Sequence, residues 1–261
     1  MTHDAKHETK HETNSTTKPM SSALKLLRLL DAVGETTDPV RVAELARAVG
    51  AGRSEVHRQL VTLVAAGWME QLPDGAYQLT VKAAHLGNAA LQHAGFGERV
   101  SKVLAELAER IGQSVCLAVL DDDATRVVKR AEPGTAAHVT LALGRRMSLR
   151  GGATGRALIA HADDATVEAL RERGVPLPDD DELVEIREKG YALIPEYADE
   201  GLAAIAFPLV GRTGRPTVTL CAVGPETRFD PLSARDVLAD AAADLARLTS
   251  SVGEGHTSWT A

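Results

Sequence analysis

From Ser21 onward apolar residues recur with the period of a helix: Ala23, Leu26, Leu27, Leu30 and Val33 form one stripe, ended by Gly34. A second stripe, Val42, Leu45, Ala46 and Val49, makes a short helix stopped at Gly50. A third, Val56, Leu60, Leu63 and Val64, begins after Gly52 with Ser54 as its N-cap and stops near Gly67. Two short helices separated by Gly50-Ala51-Gly52 have the spacing of a helix-turn-helix. The pattern then changes to strand-like segments, Trp68 to Gln71 and Ala76 to Thr80, around the turn Pro73-Asp74-Gly75. Three helices followed by a hairpin predict a winged helix.

Residues 81 to 113 read as helix again, interrupted around Gly95-Phe96-Gly97, with a strong stripe at Val100, Val103, Leu104, Leu107, Ala108 and Ile111. Beyond it strands and helices mix. Ser114 to Leu120 and Thr125 to Ala131 flank the turn Asp121-Asp122-Asp123, and a strand is expected at His138 to Leu143. Ala153 to His161 and Asp181 to Lys189 read as helices, Leu202 to Val210 and Thr217 to Val223 as strands. A closing helix, Ser233 to Leu248, presents Val237, Ala241, Leu245 and Leu248 on one face. The simplest architecture for this second part is α+β, an antiparallel sheet with packed helices.

The expected organisation is therefore a polar tail over 1–20, the winged helix over 21–81, a helical linker over 82–98, a second domain over 99–252 and a tail over 253–261. The 261 residues, 44% hydrophobic and 25% charged, suit two globular domains. The first tail, with its repeat Lys6-His7-Glu8-Thr9 and Lys10-His11-Glu12-Thr13, has too little apolar surface to offset the entropy of ordering, and disorder is expected. His7-Glu8-Thr9-Lys10-His11 matches the zinc-protease pattern, but no apolar residue flanks it, and it reads as a chance match. No apolar stretch approaches the roughly 20 residues that span a bilayer, and the N-terminus lacks a signal-peptide core, so a cytoplasmic location is expected. Cys116 and Cys221 lie in apolar runs, far apart in sequence, and read as buried small hydrophobes.

A formal net charge of -7 gives no global sign of nucleic-acid binding, because a phosphate-binding surface has to be locally basic. Locally, residues 45 to 62 carry Arg47, Arg53 and Arg58 against Glu55. Across residues 21 to 80 the six basic side chains are outnumbered by seven acidic ones. The positive charge is thus concentrated on the helix-turn-helix. The polar face of the third helix carries Ser54, Glu55, Arg58 and Thr62, with Arg53 just before and His57 at the border. Groups of this kind reach base edges and phosphates when a helix enters the major groove. A solvated helix face has the same pattern.

Val42-Ala43-Glu44-Leu45-Ala46, Ser54, Arg58, Leu60, Thr62-Leu63, Gly67 and Tyr77-Gln78-Leu79 together resemble the helix-turn-helix and wing of the IclR family of transcriptional regulators. Gly144-Arg145-Arg146-Met147-Ser148-Leu149 with Ala153-Thr154-Gly155-Arg156-Ala157-Leu158 resembles the segment that opens the family's ligand pocket. Ile186-Arg187, Gly190-Tyr191, Glu196-Tyr197, Gly201, Ala204-Ile205-Ala206, Pro208 and Gly224-Pro225 resemble its C-terminal half. The resemblance implies a GAF-like effector domain, dimers or dimers of dimers, a double-stranded DNA operator, a small-molecule effector, and more often repression than activation. No cofactor or metal is expected.

Two departures from the family pattern shape the expected ligand. Cys221-Ala222-Val223 stands where many members place serines, and Leu193-Ile194-Pro195 stands where the turn is often acidic. The pocket outlined by Met147, Ala153, Thr154, Ile194, Ala204, Cys221 and Val223 is mostly apolar, so a neutral or singly charged effector with an aromatic or aliphatic body is expected. Its polar end has Gly151-Gly152-Ala153-Thr154, at a predicted helix N-terminus, as its anchor. An enzyme is the competing class, yet the chain has no G-x-S-x-G, phosphate-loop or G-x-G-x-x-G motif. Asp121-Asp122-Asp123 reads as a turn and Asp179-Asp180-Asp181-Glu182 as the acidic start of a helix. A protein-interaction module would be favoured if Arg53 and Arg58 were buried or paired with acids.

Overall fold

The computed structural model describes residues 18–135, 138–194, 201–210 and 218–249. The histidine-containing repeat, Glu196-Tyr197, Thr217 and the tail beyond residue 249 lie outside these. The chain divides into two compact units, Met1–Ala83 and Ala84–Ala261.

In the first unit, helices α1 (Ser21–Gly34), α2 (Val42–Ala48) and α3 (Arg53–Ala65) precede a hairpin of β1 (Met69–Gln71) and β2 (Tyr77–Leu79). They enclose a core that includes Leu29, Val33, Leu45, Val56, Leu60, Leu63 and Met69. Gly50, at φ +63, ends α2 in a left-handed conformation that costs glycine little. The wing turn is held by Asp74, whose Oδ1 accepts from the Ala76 amide at 3.1 Å while Arg41 pairs with Oδ2 at 3.0 Å.

Two expectations are corrected here. The buried face of α1 is centred on Leu29 and Val33, with Leu26 and Leu30 at its edges, while Ala23 and Leu27 are exposed. Leucines at nearly every position from Leu24 to Leu30 make two overlapping stripes, and only packing chooses between them. Ser54 does not cap α3 either: Gly52 occupies that position with extended backbone and no side-chain cap, which places Ser54 inside the first turn.

Helices α4 (Val81–His93) and α5 (Glu98–Ile111) follow. Next come β3 (Ser114–Asp121), β4 (Ala124–Ala131), β5 (Arg146–Ser148), α6 (Ala153–Ala160), α7 (Asp164–Glu172), α8 (Asp180–Lys189), β6 (Ala192–Ile194), β7 (Leu202–Pro208), β8 (Val218–Pro225) and α9 (Arg235–Thr249). The strands form one antiparallel sheet in the order β5-β4-β3-β8-β7-β6. Alternation sends Val115, Leu117, Ile205, Leu220 and Ala222 to the face covered by α5 and α9. Cys116, Ala204, Ala206, Cys221 and Val223 go to the face covered by α6, α7 and α8. Burial on both faces explains why β3, β7 and β8 read as apolar runs and not as alternating strands.

The strand expected at His138 to Leu143 is absent; the strand lies later, at β5. Backbone carbonyls in this stretch are taken by side chains instead of a ladder: Ser114 Oγ donates to the Val139 carbonyl at 2.5 Å, and Arg130 donates to that of Leu141. Helix α7, unmarked in the sequence reading, starts with Asp163 accepting from the Thr166 amide at 2.7 Å, an ordinary N-cap. On α9 the most deeply buried residues are Leu238, Ala242 and Leu245, so the stripe is rotated by one position from Val237 and Ala241.

Candidate functional site

Helix α3 buries Val56, Leu60 and Leu63 and thereby turns Arg53, Ser54, His57 and Arg58 outward, where they line a surface cleft with Val42 of α2. Arg53 and Arg58 are exposed, and neither forms an ion pair among the described residues. The condition that would have favoured a protein-interaction module is therefore not met. Two residues of the expected face are engaged within their own helices: Thr62 Oγ1 donates to the Arg58 carbonyl at 3.0 Å, and Arg47 Nε to that of Ala43 at 3.3 Å.

Glu55 is bridged by Lys25 of α1 at 2.8 Å. The Lys25 hydrogen bond, and then its charge, hold the Glu55 carboxyl below its usual range, so it stays ionised at neutral pH. A bare carboxylate here would repel phosphates, and Lys25 neutralises it. Lys25→Ala is therefore expected to weaken DNA binding, and Lys25→Ala/Glu55→Ala to bind more tightly than Lys25→Ala alone. Fluorescence anisotropy on one operator fragment at fixed salt reads this cycle; equal losses with and without Glu55 would sink the coupling.

In the second unit the seven residues expected to outline a pocket converge on the α6 side of the sheet. Strand register puts Ile194, Ala204 and Val223 in one row, with Cys221 in the next row opposite Ala206. Ala153 and Thr154 come from the first turn of α6, and Met147 from the edge strand β5. All but Met147 are buried, and all but Thr154 belong to or border one apolar cluster. The Thr154 hydroxyl bonds to that of Thr125 at 2.8 Å, tying α6 to β4. Ser148 organises the preceding loop, its Oγ accepting from the Gly151 amide at 3.0 Å and its carbonyl from the Gly152 amide at 3.0 Å. The amides that open α6 have no partner within the helix by geometry, as at any helix start.

Two family models together account for most of the described chain. Residues 22–73 match the IclR helix-turn-helix domain, and residues 88–251 match the C-terminal domain of bacterial IclR transcriptional regulators. The chain belongs to the IclR family. Among curated IclR-type relatives, the HTH-type transcriptional regulator XynR of Escherichia coli is 26% identical over 81% of this chain and 88% of its own length. The acetate operon repressor of Salmonella typhimurium is 26% identical over 82% and 85%. A solved IclR homologue from Microbacterium hydrocarbonoxydans, complexed with 4-hydroxybenzoate, superposes with a TM-score of 0.72 at 20% identity, over 89% of this chain and 99% of that one. The chain is a DNA-binding transcriptional regulator; its relatives are regulators and not enzymes. Among the described residues no helix is long and apolar enough to cross a membrane.

Within this IclR domain the sequence reading missed three polar residues on the α6 face. Thr125 and Ser114 are buried, and Arg130 stands directly opposite Cys116 on β4. Arg130 pairs with Glu132 at 2.9 Å, and His138 approaches the same carboxylate at 3.2 Å. Their signal was a short or cationic polar residue at an alternate position of an apolar strand. For Thr125 and Arg130 it is readable only once the register shift between Leu117 and Ala118 is known, because that shift decides which face each β4 residue joins.

Proposed function

We propose that the chain is a one-component repressor that grips a pseudo-palindromic operator as a homodimer, singly or as a dimer of dimers. Its DNA affinity is set by a neutral or singly charged small molecule bound on the α6 face. The observation that carries the effector reading is the convergence of Met147, Ala153, Ile194, Ala204, Cys221 and Val223 on one apolar face beside the N-terminus of α6. Apolar burial stabilises by about 25 cal/mol per Å2, so a ring or acyl body gains several kcal/mol there before ordering costs. A dicarboxylate would lose hydration with too few donors to replace it. The homologue complexed with 4-hydroxybenzoate favours an aromatic monoacid, and the relative named a repressor favours repression.

Self-association is supported by apolar side chains without cover in the single chain: Leu24 and Leu27 of α1 are 43% and 54% exposed, and Leu86 of α4, a helix with no buried residue, is 59% exposed. A two-fold dimer also matches two operator half-sites. Repression of this kind acts on cytoplasmic DNA, through Arg47, Arg53, Ser54, Glu55, His57, Arg58 and Thr62. Units near 21–81 and 99–252 joined by a helical linker provide the division of labour.

Calorimetric titration with 4-hydroxybenzoate, pyruvate and succinate tests the ligand class. The aromatic acid is expected to bind, the dicarboxylate not to bind, and Val223→Asp to weaken the aromatic acid by about tenfold or more through an unpaired buried charge. Tight binding of pyruvate, with Val223→Asp leaving every affinity unchanged, would overturn both the face and the ligand class.

A further inference from the structure

The chain has two cysteines, and the sheet brings them face to face. The β3–β8 register pairs Cys116 directly with Cys221, and both are buried on the α6 side. The Cys221 thiol donates to the Ala222 carbonyl at 3.6 Å, and Cys116 is its neighbour directly across the strands. Directly opposed residues of an antiparallel pair have Cα atoms about 4.5–5.5 Å apart, inside the roughly 4.4–6.8 Å that a disulfide spans. Two cysteines placed independently in a chain of 261 residues would rarely become cross-strand partners.

We propose that Cys116 and Cys221 are a redox modification site, converted by a peroxide into a cross-strand disulfide that joins β3 to β8. In the first step one sulfur, as thiolate, attacks a peroxide oxygen; the O–O bond breaks, and the released hydroxide takes up the thiol proton as water, leaving a sulfenic acid. In the second, the other sulfur attacks the sulfenic sulfur; the S–O bond breaks and a second water leaves with the remaining thiol proton. Two thiols and one hydrogen peroxide thus give one disulfide and two waters, with two electrons passing from sulfur to oxygen. The strands need not part, because the two residues are already direct cross-strand partners.

The neighbouring Cys116 thiol and burial hold the Cys221 thiol well above its usual range. Little Cys221 thiolate is therefore present at neutral pH, so the pair responds to sustained peroxide and not to brief exposure. Helix α6, which covers this face, carries the small side chains Ala153 and Ala157, and hydrogen peroxide is close to water in size. Bond formation requires neither effector nor DNA. Only its consequence, a reshaped effector face, rests on the function proposed above.

The test uses the full chain, incubated folded with hydrogen peroxide, quenched, denatured, alkylated with N-ethylmaleimide and weighed intact. Untreated protein should take up two adducts. Oxidised protein should take up none, weigh two hydrogens less, run as a single chain without reductant, and regain both adducts after dithiothreitol. Cys221→Ser should instead retain one adduct or gain oxygen. Retention of both adducts in the oxidised wild type overturns the proposal, as does oxygen addition without hydrogen loss or linkage between two chains. Should the disulfide form while no small molecule proves to bind the α6 face, the effector reading fails and the modification site stands.

Discussion

Gly155→Ala is expected to destabilise the effector domain by about 1–3 kcal/mol or more, the usual cost of forcing a methyl into filled space. An added Cβ would lie 2.4 Å from Leu149 Cα and 2.6 Å from the Ser148 carbonyl oxygen. Both are backbone atoms, so no side chain can swing aside and α6 itself has to move. Movement of its first turn would also stretch the 2.8 Å Thr125–Thr154 contact and displace the amides proposed to hold the effector. At about 2–4 °C per kcal/mol for a domain of this size, the loss is visible in thermal unfolding. Gly87 of α4 supplies the control: its added Cβ meets nothing within 4 Å, so Gly87→Ala should gain about 0.5–1 kcal/mol from reduced backbone entropy. Equal melting temperatures for Gly155→Ala and the wild type would show that the close approach of α6 to the β5 end does not exist.

Arg58→Ala is expected to cost about 1–3 kcal/mol of operator binding, roughly 5–150-fold, if its guanidinium makes a bidentate contact with a guanine. Arg58 is exposed on the face of α3 opposite Leu60 and Leu63, in the cleft that also holds Arg53 and His57. Its loss leaves the buried stripe intact, so unfolding should be unchanged while DNA binding falls. A phosphate contact and a base contact separate on salt and on sequence: the first lowers the salt slope by about one for all sequences, the second relaxes preference at one base pair. Anisotropy titrations at several salt concentrations, against operator and random duplex, make the distinction. Unchanged affinity for both would remove α3 from the DNA interface and with it the proposed reading of the first unit. Additivity in the Lys25–Glu55 cycle alone would remove only the coupling between those two residues.

Much of this molecule was legible before any coordinates. The stripe Val56, Leu60, Leu63 placed α3 and its outward arginines, because a helix repeats every 3.6 residues and needs only its own neighbours to be recognised. The breaks at Gly50 and Gly95-Phe96-Gly97 and the turn at Asp121-Asp122-Asp123 were equally local; Asp122 indeed takes φ +59 there. Where two local patterns competed, the reading failed. Leu27 and Leu29 were equally good core candidates for α1, and Val237 and Leu238 for α9, and the difference lies in what packs against them. Residues 138–143 have the alternation of a strand, yet their carbonyls are claimed by Ser114 and Arg130 from other strands.

Local pattern, then, determined most of the elements, though not β5, α7 or β6, together with the division into a helix-turn-helix and an α+β domain and the residue types of both candidate sites. The meetings between distant residues were decided by tertiary structure alone: Lys25 with Glu55, Thr125 with Thr154, Cys116 with Cys221. Each depends on a helix position or a strand register, which is fixed by burying whole apolar faces and not by the residues that meet. A slip of β8 by one residue against β3 would put Cys221 on the face of the sheet opposite Cys116. The sequence carries no short-range mark of that choice, because its free energy is spread over the entire core.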